Sequence, residues 1–184
     1  HPQWVFRTLV DGVPKPVNVL PAKTTVNKPT FTRNEIRGHI DWQFLDQLRE
    51  RWTGKLILKG VLSADDAVRI RDAGVDAVYV SNHGGRQLDA APAAIDVLPE
   101  IRQAVGVDYP LIFDSGIRSG EGIVKALALG ADFVMLGRPF LYASGADGQR
   151  GVYHLVDLLK NDMLLVLAQI GCTDVSHLDK NVLA

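Results

Sequence analysis

Four short apolar runs recur along the chain, each closed by a polar or glycine-bearing loop: Leu56-Ile57-Leu58-Lys59, Ala77-Val78-Tyr79-Val80, Leu111-Ile112-Phe113-Asp114 and Phe133-Val134-Met135-Leu136. Runs this continuously apolar suit strands buried on both faces, which is the condition of a parallel sheet. Helical patterns separate them. One is predicted over 63–73, with Ser63 as cap, Asp65 and Asp66 in the first turn and Gly74 as terminator. Others are predicted over about 93–105 and over 121–129, the latter stopping at Gly130. Ahead of the first run, Asp41 caps a helix whose apolar stripe is Phe44, Leu45, Leu48 and Trp52 and whose stop is Gly54. Behind the last, a loop rich in Gly and Ala leads to an amphipathic helix from Val152 to about Ile170. Such alternation restricts the chain to an α/β fold with a parallel sheet.

In a (β/α)8 TIM barrel the loops after the strands converge on one rim. A full barrel needs eight strands and about 250 residues, whereas these 184 residues carry four strands. The pattern therefore predicts half of a barrel: either two such halves assemble, or the N-terminal half is a separate or missing polypeptide.

Composition narrows the function class. A net charge of −1 argues against a nucleic-acid binder working through bulk positive charge. The single cysteine, Cys172, excludes an intrachain disulfide and a cysteine-based metal site, and none of either is expected. It reads as a small buried apolar residue. The opening residues show no secretory leader, which with the lone cysteine fits a reducing, cytoplasmic setting. Residues 1–34 carry Pro2, Pro14, Pro16, Pro21 and Pro29 and no sustained period, so no folded element is predicted there. Arg7, Lys15, Lys23, Lys28 and Arg33 face only Asp11, beside the apolar Trp4, Val5, Phe6, Leu9 and Val10. Two readings stand for this stretch: a membrane-surface segment, or a loop packed on a neighbouring domain.

The chemistry concentrates at the strand ends. Past the second strand lies Ser81-Asn82-His83-Gly84-Gly85-Arg86-Gln87-Leu88-Asp89. Arg86 offers a planar fork for a carboxylate, and His83 can exchange a proton near neutral pH. Either alone is ordinarily structural; together, among glycines beyond a strand tip, they point to a site that holds and deprotonates a small carboxylate. The last two strands end in Gly116 with Arg118 and in Gly137-Arg138, a pairing suited to a phosphate. Asp114 could accept from a cofactor's hydroxyls or pair with an arginine. For Lys59 a cation beside an electron-rich ring and a solvated strand-end lysine are both open, and the residues alone favour the second.

With Leu58-Lys59-Gly60 upstream and Asp114-Ser115-Gly116-Ile117-Arg118 and Leu136-Gly137-Arg138 downstream, the nine-residue stretch resembles the FMN-dependent α-hydroxy-acid oxidase and dehydrogenase family. The opening His1-Pro2-Gln3-Trp4 and the tail Leu167-Ala168-Gln169-Ile170-Gly171-Cys172 look like its mandelate and lactate dehydrogenase branch. The resemblance implies FMN as cofactor and oxidation of an L-2-hydroxy acid to the 2-oxo acid. The acceptor would be a quinone or electron carrier, with a soluble oxidase making hydrogen peroxide as the first alternative and a non-catalytic phosphate-binding half-barrel as the second. By the same resemblance His83 is the base, Arg86 binds the substrate carboxylate, and Lys59 and Ser81 meet the flavin ring. Asp114 binds the ribityl chain, and Gly116, Arg118, Gly137 and Arg138 hold the phosphate. The family also implies that residues 1–40 are the long fourth loop of the TIM barrel and residues 41–184 its last four βα units. It further implies a homotetramer, an N-terminal half supplying further site residues, and peripheral contact with the inner face of the cell membrane through residues 1–40.

Overall fold

The computed structural model describes residues 2–12 and 41–183. The proline-rich and basic stretch over 13–40, with Lys15, Lys23, Lys28 and Arg33, lies outside the described residues. The chain divides into two units, residues 1–44 and 45–184.

In the first unit, Pro2–Asp11 forms helix α1, where the sequence predicts no element. The reason lies in a spacing that the prolines obscure. Val5 and Leu9, like Phe6 and Val10, are four residues apart and share one face, while Arg7 and Asp11 take the other. Pro2 stands at the first helical position, where its fixed φ is an asset. Phe6, Leu9 and Val10 are 68%, 78% and 66% exposed. The unit ends in the start of α2 (Trp42–Arg51), where the amide of Phe44 donates to Asp41 Oδ1 at 2.8 Å, the cap expected from sequence.

The second unit carries the remainder of α2 and four βα units: β1 (Ile57–Val61), α3 (Ala64–Asp72), β2 (Ala77–Val80), α4 (Ala94–Val105), β3 (Leu111–Phe113), α5 (Gly120–Ala128), β4 (Phe133–Val134) and α6 (Arg138–Gln169). The strands pair in chain order, β1-β2-β3-β4, and every pairing is parallel. Two boundaries differ from expectation. β4 stops after Val134, so Met135 and Leu136 already belong to the rim. The Gly/Ala-rich segment after Arg138 is helical, because Pro139 starts a helix that its alanines sustain. α6 is then broken only at Asp147 and Gly148, whose backbone leaves the helical region.

One face of the sheet is covered by helices: Val78, Val80, Leu111 and Phe113 are fully buried against Ile70, Leu98 and Ile101. The other face carries Lys59, Tyr79, Ile112 and Phe133, matched across the strands, with Ile57 two residues before Lys59 on the same face; Ile57 is 47% and Phe133 59% exposed. An open apolar inner face with β1 and β4 as unpaired edges among the described residues is what half of a (β/α)8 barrel presents. Among the described residues no helix is long and apolar enough to cross a membrane.

At the end of the sheet opposite the site, one arrangement occurs twice. Arg49 of α2 donates to the Gly74 carbonyl and to Asp76, and Asp76 accepts the Leu56 amide. Arg102 of α4 donates to the Gly130 carbonyl and to Asp132, and Asp132 accepts the Leu111 amide. Each arginine thus ties the start of one strand to the start of the next.

Candidate active site

The loop after β2 is held in a conformation that few side chains adopt. His83, Gly84 and Gly85 are all left-handed, at φ 57°, 66° and 73°. Glycine adopts this freely, whereas a histidine needs support. That support comes from two serines. Ser81 Oγ accepts the His83 amide at 3.0 Å. Ser115 Oγ accepts the amides of Asn82 and Gly84, each at 3.2 Å. Three successive amides are thereby satisfied, and Asn82 Oδ1 takes the fourth, from Gly85, at 3.1 Å. Ser115 is itself strained at φ 89° and donates to Asp114 Oδ1 at 2.9 Å.

Asp114 is the centre of a second set of contacts. Its Oδ2 accepts from Lys59 Nζ at 2.6 Å and from the Tyr79 hydroxyl at 2.9 Å. Burial pushes this carboxyl up, but hydrogen bonding by Lys59, and further by Ser81, Tyr79 and Ser115, outweighs it and holds the group below the usual carboxylate range. Burial, followed by the Asp114 carboxylate, pushes the Tyr79 phenol far up, so it stays a donor. Lys59 also reaches Ser81 Oγ at 2.9 Å.

These loops border one cleft of about 750 Å3 at the C-terminal ends of the strands. Lys59, His83, Arg86, Asp114, Gly116, Arg118, Gly137 and Arg138 all line it. The sequence-predicted residues are thus brought together, with one difference of placement. Ser81 is fully buried beneath the cleft, its hydroxyl engaged by Lys59 and the His83 amide. Arg86 is exposed on the rim. Arg138 donates to the Gly84 carbonyl, which links the fourth loop to the second. Arg118 reaches the Ile117 carbonyl at 2.9 Å.

Four cations face the cleft and its single carboxylate is already paired, so the site suits anions. The two nearby helix N-termini differ in a way that locates one of them. That of α5 is satisfied from within the fold, by Ser119 and by Asp162, whose Oδ2 accepts the Gly120 amide at 2.6 Å. That of α6 has no side-chain cap, and a β-carbon at Gly137 or at Gly116 would meet nothing within 4 Å. Open amides, a helix terminus and two guanidinium groups are the donor set of a phosphate.

A family model described as FMN-dependent dehydrogenase matches residues 1–184. The chain belongs to the FMN-dependent dehydrogenase family. It is 41% identical to an (S)-mandelate dehydrogenase of Pseudomonas putida, over 100% of this chain and 47% of that protein. It is 39% identical to an L-lactate dehydrogenase of Pseudomonas syringae pv. syringae (strain B728a), over 99% of this chain and 49% of that protein. A crystal structure of the monotopic membrane protein (S)-mandelate dehydrogenase matches with a TM-score of 0.83 at 41% identity, covering 99% of this chain and 49% of that one. The chain therefore spans about half the length of the curated relatives it matches.

Two site residues of this family member escape sequence reasoning. Ser115 sits inside the quoted Asp-Ser-Gly stretch, but its task depends on amides more than thirty positions away. Tyr79 reads as one more apolar strand residue, and only the pairing Lys59↔Tyr79 shows that it shares the inner face with Lys59. Cys172, expected buried, is half-buried and donates to the Asp174 carbonyl.

Proposed function

We propose that this chain carries the catalytic rim of an FMN-dependent (S)-2-hydroxy-acid dehydrogenase, acting on a mandelate- or lactate-type acid and passing electrons to a quinone or other carrier. The observation that carries the reading is the meeting of His83 and Arg86 with Arg118 and Arg138 on one cleft. The residues fit FMN: the uncapped α6 terminus, Gly116, Gly137, Arg118 and Arg138 would hold its phosphate, and Asp114 its ribityl hydroxyls. When bound, FMN supplies the two-electron acceptor. Arg86 holds the substrate carboxylate through its fork, which aims the 2-hydroxy carbon at the cleft. His83 takes a proton from the substrate as the general base. Lys59 places positive charge at the cleft floor, where negative charge gathers on reduction.

The rest of the barrel is required to close the site. Open β1 and β4 edges, the exposed inner face and a groove of about 540 Å3 along Phe133, Met135, Val156 and Leu164 support a second set of four strands covering them. Residues 41–184 then form the C-terminal half-barrel and residues 1–40 its long loop. The exposed apolar face of α1, opposite Arg7, supports docking of that loop on the membrane surface, and a relative that is a monotopic membrane protein supports the same reading.

The complete FMN-loaded enzyme tests this. (S)-Mandelate or L-lactate added without oxygen should bleach the flavin, and an artificial quinone should restore it faster than oxygen does. His83→Ala should stay yellow and lose turnover by roughly 10²- to 10⁴-fold. Bleaching at the wild-type rate in that variant would overturn the role of His83, and no bleaching by any 2-hydroxy acid would overturn the reaction class.

A further inference from the structure

Lys59 makes more contacts than a charge at a strand tip requires. Its ammonium carries three N–H donors. One goes to Ser81 Oγ at 2.9 Å and one to Asp114 Oδ2 at 2.6 Å. Beneath them the Tyr79 ring lies 3.6 Å from Nζ, so its face meets the cation directly. The Tyr79 hydroxyl then closes the circuit by donating to the same Asp114 oxygen that Lys59 binds. With two donors spent and the underside against a ring, one donor is left, and Lys59 borders the cleft.

We propose that Tyr79 is a positioning residue for Lys59, serving as the floor that turns its remaining N–H up into the cleft toward the flavin ring. The inference rests on the reading of the cleft as an FMN site. A lysine stem has four rotatable bonds and would otherwise sample many directions. The register makes the arrangement specific: Lys59 and Tyr79 are directly paired on adjacent strands, and Asp114 follows β3 immediately on the same face. Tyr79 acts through both of its parts. The ring fixes the height of the ammonium, and the hydroxyl fixes the carboxylate that sets its azimuth.

Sulfite affinity reads this without turnover, since sulfite adds reversibly to a flavin whose surroundings stabilise negative charge on the ring, with loss of visible absorbance. The complete holoenzyme is compared with Lys59→Met, Tyr79→Phe and Tyr79→Leu at matched FMN content. Lys59→Met should weaken sulfite binding most. Tyr79→Leu, which removes ring and hydroxyl, should weaken it about tenfold, the worth of a partly desolvated cation–π contact. Tyr79→Phe keeps the ring, holds the shape of the inner face should the leucine variant fail to fold, and should weaken binding by a smaller factor, about threefold. A Tyr79→Phe protein with wild-type sulfite affinity, alongside a weakened Lys59→Met, overturns the role of Tyr79 and leaves the flavin site standing. Unchanged affinity in Lys59→Met overturns the placement of Lys59 at the flavin, and the inference with it.

Discussion

The imidazole of His83 lies over Gly60, so close that a β-carbon at position 60 would stand 2.6 Å from His83 Cε1. Gly60 is the bulged residue of β1, between Lys59, which pairs with Tyr79, and Val61, which pairs with Val80. Two strand tips are therefore fitted to one another, and the hydrogen side chain of one sets the place of the imidazole on the other. Gly60→Ala should push that ring aside. The substitution also meets φ 95°, which costs about 1–3 kcal/mol for a residue with a side chain. Because the imidazole is exposed and can swing, the fold and the FMN content should survive. Turnover should fall about 10²-fold, the usual cost of a catalytic group misplaced by about 1 Å. A flavin-loaded variant with wild-type kcat would show that Gly60 does not place His83.

Ser115 supports the same loop from the other side, and Ser115→Ala isolates the hydroxyl, since alanine inherits the same positive φ. The amides of Asn82 and Gly84 would lose their acceptor, and Asp114 a donor. A loss of about 1–3 kcal/mol in stability follows from unsatisfied amides that are shielded from water. The kinetic effect should fall on kcat more than on KM, because Arg86 lies outside the three amides held by the serines. Denaturant titration of the holoenzyme, together with steady-state kinetics, checks both. Unchanged values in each would mean that water replaces the hydroxyl and that the loop holds itself.

How much of this was legible beforehand depends on the range over which each feature is determined. Ser63 caps α3 with its hydroxyl 3.3 Å from the Asp66 amide, as its spacing implies, because a cap is decided within four residues. β2 falls on Ala77–Val80 as read, since a buried parallel strand is a local apolar run. The convergence of His83, Asp114 and Arg138 was legible only through topology, from the rule that barrel loops share a rim. The positions of Ser115 and Tyr79 were not legible. Each acts through partners on other strands, and their register is set by pairing rather than by sequence neighbours. α1 was missed because two i, i+4 apolar pairs are a short signal beside five prolines in the first 34 residues.

The twin arginines at the far end of the sheet make a graded prediction about stability. Arg102, 14% exposed, donates to the carbonyls of Gly106, Tyr109 and Gly130 at 2.7–2.8 Å and to Asp132. Arg102→Ala should destabilise by about 3 kcal/mol or more, since several carbonyls and a carboxylate lose a charged donor together. Arg102→Lys should recover only part, because an ammonium cannot span acceptors arranged around a planar fork. Arg49→Ala, at the equivalent but more open position, should cost less. Urea midpoints of the three variants give the order; equal midpoints for Arg49→Ala and Arg102→Ala would contradict it.

The Asp76 carboxylate makes the second unit sensitive to acid, with a sign that can be worked out. The Lys55 ammonium first, then the Leu56 amide and Arg49, hold its pKa at about 2 against an ordinary 3.8. A group whose folded pKa is depressed stabilises the fold above its unfolded pKa, and that contribution is lost as pH falls toward the folded value. The window is therefore from about pH 4 down to about pH 2, within which the unfolded chain takes up the proton first. Asp76→Asn cannot titrate. It should be less stable than wild type at pH 6, where the carboxylate is fully charged, yet lose less on going from pH 5 to pH 3. The two curves of urea midpoint against pH should converge in acid. Parallel curves across that range would show that Asp76 is no more tightly held in the folded protein than in the unfolded chain, and that the arginine and lysine beside it are spectators.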